Sequence, residues 1–126
     1  MKTLIVFLVL FLFINAVAFS YASTDDAVNY AASAADFAGV ASLSAESATD
    51  NAITASTAAN NSFIFARKAY YAVTIEEAKD YAEKAMSLAQ DAEMAAIKAE
   101  QASREAQAAA KNAEAAANNI KDAIKW

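Results

Sequence analysis

The stretch YAVTIEEA, residues 71–78, decides how this chain folds, because two alanine patterns meet there out of phase. Upstream, alanine recurs at Ala27, Ala31, Ala34, Ala38, Ala41, Ala45, Ala48, Ala52, Ala55 and Ala59, and the row continues through Ser62, Ala66, Ala69 and Val73 in alternating steps of four and three. Downstream, the same alternation runs through Ile75, Ala78, Ala82, Ala85, Ala89, Ala92, Ala96, Ala99, Ser103, Ala106, Ala110, Ala113, Ala117, Ile120 and Ile124. A repeat of 3.5 residues held over about seven heptads imposes a left-handed supercoil on helices that share it. Continuing the first row would place Glu76 and Asp80 on it, so the second row is offset by two residues. Two residues turn a helix by about 200°. One unbroken rod would carry its two apolar rows on nearly opposite sides, and a break between them is the simpler solution.

Thr74 supplies the restart. Its side chain can cap the new helix while Glu77, three residues on, reaches back, and Val73 with Ala78 can close a hydrophobic staple. Ser23-Thr24-Asp25-Asp26 offers an equivalent start for the first helix, with acids where the helix dipole favours them. Residues 23–126 therefore read as all-α, with helices over about 24–71 and 74–124. The expected fold is a long antiparallel helical hairpin with alanine heptad seams, forming a coiled coil or bundle by self-association. Asn60-Asn61-Ser62 carries the better local turn chemistry. The alanine row keeps phase across it, however, which places the break nearer residues 71 to 74. The same triplet is an acceptor for N-glycosylation at Asn60 in a eukaryotic secretory pathway.

The composition fits few, long elements. The chain of 126 residues has no proline, no cysteine, no histidine and a single glycine, Gly39. These absences exclude Ser-His-Asp or Cys-His nucleophiles, thiolate or imidazole zinc sites, disulfides, and the glycine-rich loops that cradle phosphate. An enzyme is not expected, nor a metal or cofactor. The carboxylates Glu76, Glu77 and Asp80 are better explained by a helix start than by a cation site.

Residues 4–19 form a nearly unbroken apolar run behind Lys2, shorter than the ~20 residues a membrane-spanning helix needs. Small residues follow at Ser20 and Ala22, so residues 1–22 read as a secretory signal peptide. The mature chain would begin near Ser23 and lie outside the cytosol, extracellular or, in a bacterium, periplasmic. No stable membrane insertion is expected after cleavage.

Alanine at a seam lets helix backbones approach more closely than the usual 8–10 Å, at the cost of weak burial per residue. Taking Ala31 and Ala34 as heptad positions a and d, position g carries Tyr30, Phe37, Asn51, Ala58 and Phe65, and position e carries Val28, Phe63 and Tyr70. In the second helix position g carries Tyr81, Leu88, Ala95, Ala102, Ala109, Ala116 and Ala123, but position e carries Lys79, Met86, Glu93, Glu100, Gln107, Glu114 and Lys121. The apolar stripe is thus wider than a two-helix seam and fits a bundle of three or four helices, which for this chain means self-association or related alanine-rich partners. Phe63, Phe65, Tyr70 and Tyr71 cluster near the expected tip, and Trp126 stands at the other end. Residues 23–66 carry acids and no base, while the remainder is mixed, and an acidic chain without a basic patch argues against nucleic acid.

The stretch Ala82 to Asn118, AEKAMSLAQDAEMAAIKAEQASREAQAAAKNAEAAAN, resembles the alanine-rich coiled-coil silk fibroins and silk-associated proteins of bees, ants and hornets. The resemblance implies a secreted structural protein whose helices bundle along a fibre or matrix. The chain is shorter than that family implies and carries a phase break. An alanine-rich helical ice-binding protein is a second reading. It needs threonine at eleven-residue spacing, and Ala35 and Glu46 stand between Thr24 and Thr57 where such threonines would be. A lipid-binding amphipathic helix would need larger apolar residues than alanine. A helical structural protein of a bacterial envelope is a further reading.

Overall fold

A computed structural model describes residues 25–124 of the chain. The leader expected at residues 1–22, the cap expected at Ser23 and Thr24, and Trp126 lie outside the described residues. The described chain is two helices, α1 over Asp25–Tyr70 and α2 over Ile75–Ala123, packed against each other with no strand among the described residues. Alanine explains their persistence, since it loses no side-chain entropy in a helix, and no proline interrupts either one. Both ends of each helix suit its dipole. Asp25 and Asp26 open α1 and Arg67 and Lys68 close it; Glu76 and Glu77 open α2 and Lys121 lies in its last turn.

The reversal occupies residues 71–74. Helix α1 tightens as it ends, the Tyr71 N–H donating to the Arg67 carbonyl at 3.2 Å and the Ala72 N–H to the Ala69 carbonyl at 3.3 Å. No described residue has a positive φ, so the turn is made without the left-handed residue that commonly ends a helix. That is why it needs neither glycine nor asparagine. Thr74 then caps helix α2, its Oγ1 accepting the Glu77 N–H at 3.1 Å and its carbonyl the Ala78 N–H at 3.0 Å.

The packing divides into two units. In the first, the described residues up to Ala45 pack with those from Arg104 onward. Ala27, Ala31, Ala34 and Ala38 are buried on α1, and Ala109, Ala113, Ala116 and Ile120 on α2, with Ala31, Ala34, Ala116 and Ile120 forming one cluster. Ile120 is its one large, fully buried side chain.

The second unit spans Glu46–Ser103. Ser62 Oγ donates to the Ala85 carbonyl at 2.7 Å, and one turn further along α1 Phe65 lies 6.1 Å from Tyr81, ring centroid to ring centroid. Advancing along α1 moves the partner backwards along α2, so the two segments of this unit run antiparallel.

Candidate assembly surface

Within the unit of Glu46–Ser103, the residues turned toward the opposite helix are Ala48, Asn51, Ala55, Ala58, Ser62, Phe65 and Ala69 on α1, and Ala78, Tyr81, Ala85, Leu88, Ala92, Ala95, Ala99 and Ala102 on α2. These are heptad positions d and g. The a-position alanines Ala52, Ala59 and Ala66 on α1 and Ala82, Ala89 and Ala96 on α2 are exposed. In the other unit α1 uses a and d, with Ala27, Ala31, Ala34 and Ala38 buried and Ala41 and Ala45 half-buried. On α2 there, Ala106, Ala113 and Ala117 are covered and Ala110 is exposed. The chain's own contact row therefore leaves seven alanines of the expected row exposed, at 52, 59, 66, 82, 89, 96 and 110, and Val73 and Ile75 of the same row are exposed at the turn.

Side-chain size accounts for the departure in the unit of Glu46–Ser103. Alanine at a and alanine at d offer equal methyls, whereas g offers Phe65, Tyr81 and Leu88, and covering a large side chain removes far more apolar area from water. The larger residues take the contact and rotate the a row outward. The signal was present in the sequence as the wide stripe, but alanine periodicity alone does not rank its rows.

The two sides of this unit differ in chemistry. At 100° per residue, the position just after each g residue turns to the same side of both helices when they run antiparallel. That side gathers Ala52, Ala59, Phe63, Ala66 and Tyr70 from α1 and Ala82, Met86, Ala89 and Ala96 from α2, all exposed, with Thr49, Ser56, Lys79, Glu93 and Glu100 among them toward its ends. The other side carries Asp50, Thr54, Thr57, Asn61 and Lys68 with Asp80, Lys84, Ser87, Asp91 and Lys98, and Ile64 and Met94 as its exposed apolar residues. There the lysines cover the aromatic pair, Lys68 Nζ lying 5.0 Å from the Phe65 ring and 5.9 Å from Tyr81, and Lys84 Nζ 5.8 Å from Phe65. Thr54 and Thr57 donate their hydroxyls to the carbonyls of Asp50 and Ile53 at 3.0 and 2.9 Å, and Asn51 Nδ2 donates to the Ser47 carbonyl at 2.8 Å. These hydroxyls are spent within their own helix.

Near the turn, Tyr70 and Tyr71 meet edge to face with centroids 4.9 Å apart, both largely exposed. Ile64, Arg67, Lys68 and Tyr71 line a shallow depression beside them. Asn60 is exposed within α1, and Ser62 of its triplet holds the Ala85 carbonyl. Lys79 pairs with Glu83 at 3.8 Å on an exposed surface, where such a pair contributes little.

Among the described residues no group of acids could hold a metal ion, and no helix is long and apolar enough to cross a membrane. Comparison with protein-family models, with curated proteins and with solved structures gave no match.

Proposed function

We propose that this chain is a secreted, non-enzymatic structural protein that assembles with itself, or with related alanine-rich helices, through alanine coiled-coil seams as a silk-like or matrix component. The observation that carries the proposal is the exposed alanine row at Ala52, Ala59, Ala66, Ala82, Ala89 and Ala96, beside helices already packed through other residues. Such a row admits a further helix at close approach. Secretion follows from the apolar run at residues 4–19 and the small residues after it. The assembly needs no cofactor, nucleic acid or membrane. Ice binding gains no support, since Thr54 and Thr57 bond within their own helix and form no ladder.

Expression of the whole chain from Met1 in a secreting cell tests this reading. The chain is expected in the medium with its N-terminus near Ser23, highly helical by circular dichroism and oligomeric by sedimentation at tens of micromolar. A disordered monomer at that concentration overturns it, and thermal hysteresis in an ice assay would transfer support to the ice-binding reading. Intact mass on the same sample reads whether Asn60 carries a glycan.

A further inference from the structure

We infer that the apolar side of the unit Glu46–Ser103 is the docking face for a second copy of this chain, and that the two copies lie tip to tail across it. The inference rests on the assembly proposal and adds to it the face and the orientation. The face is more than a row of methyls: Phe63 and Met86 are each 61% exposed on it and Tyr70 is 82% exposed, while the opposite side of the same unit is mostly polar and carries the lysines over Phe65. A contiguous exposed apolar side of this kind marks an interface.

Charge selects the occupant and its direction. Three charges fall on position e of α2 along this face: Lys79, which also reaches Glu83 of its own helix at 3.8 Å, at the end nearest the 71–74 turn, and Glu93 and Glu100 at the other end. Two copies placed tip to tip would set like charges against each other. Placed tip to tail, with the two-fold axis passing near Met86, Lys79 of one copy comes level with Glu93 of the other, because both lie seven residues from Met86. The face is about 30 Å long and about two helix diameters, ~20 Å, wide. Covering it removes on the order of 600 Å2 from each copy, about 1,200 Å2 in total, at the lower bound of specific interfaces. Association is therefore reversible and concentration-dependent. An isologous contact between two copies also satisfies the self-complementarity that two-fold symmetry demands.

The experiment uses the whole chain expressed from Met1, in the processed form the cell yields, followed by sedimentation with circular dichroism as a fold control. Ala59→Glu and Ala89→Glu are expected to abolish or weaken association at least tenfold, while Thr57→Glu and Ser87→Glu, on the polar side, leave it unchanged and all four stay helical. The absence of native cysteine allows the orientation to be read by cross-linking. Lys79→Cys mixed with Glu93→Cys is expected to give a disulfide-linked pair, and Lys79→Cys alone none. If the parent chain associates but Ala59→Glu and Ala89→Glu leave it intact, the face is wrong and the assembly proposal survives. Self-linking of Lys79→Cys overturns the tip-to-tail orientation. If the parent is a monomer at tens of micromolar, both fall.

Discussion

Gly39 sits inside α1, and a Cβ built on it meets nothing within 4 Å. Its backbone is helical and its φ is not positive, so nothing there requires glycine. Gly39→Ala is expected to stabilise the helix by about 1 kcal/mol, read as a rise in the thermal midpoint, because alanine restricts the unfolded chain and suits the helix better. Ile120 is the opposite case. It is fully buried in a cluster otherwise made of alanine methyls, so neighbouring side chains cannot swing in to fill a void. Ile120→Ala should cost about 2–4 kcal/mol by denaturant titration and Ile120→Val about 1 kcal/mol. A smaller loss for the alanine variant would mean that the helices close up over the gap.

Among elements, the start of α2 depends on one hydroxyl. Thr74→Ala removes the acceptor for the Glu77 N–H and is expected to destabilise the chain by about 1 kcal/mol in chemical unfolding, while Thr74→Ser retains most of it. The two helices and the interruption between them were legible in the sequence, from alanine propensity and from the phase break that put Glu76 and Asp80 on the row. The backbone of the turn was not, because residues 71–74 reverse the chain without positive φ and so leave no glycine or proline signature. The inward row was half legible. Periodicity located the stripe, but Ala59 and Ala58, or Ala96 and Ala95, are identical in size, and only Phe65, Tyr81 and Leu88 tip the helices onto the row that carries them. The Phe65–Tyr81 contact and its two lysines depend on how residues distant in sequence meet, which no local pattern encodes.

For the whole molecule, the notable property is how little each core residue contributes. Most buried side chains are alanines, and at ~25 cal/mol per Å2 a methyl group offsets only part of the entropy lost in ordering its residue. Under the proposed assembly, association adds to this stability, so the thermal midpoint is expected to rise by several degrees when concentration is raised from about 1 to about 100 µM. A midpoint independent of concentration would show that the single chain suffices. The interior of the unit Glu46–Ser103 also bears on uniqueness, as distinct from stability. Sliding one helix past the other by a heptad would exchange alanine for alanine at many contacts and cost little there. The slide would, however, pull Phe65 off Tyr81 and Ser62 off the Ala85 carbonyl. The alanines therefore supply adhesion that is nearly blind to register, and these two contacts act as index pins that select one alignment from several of similar energy.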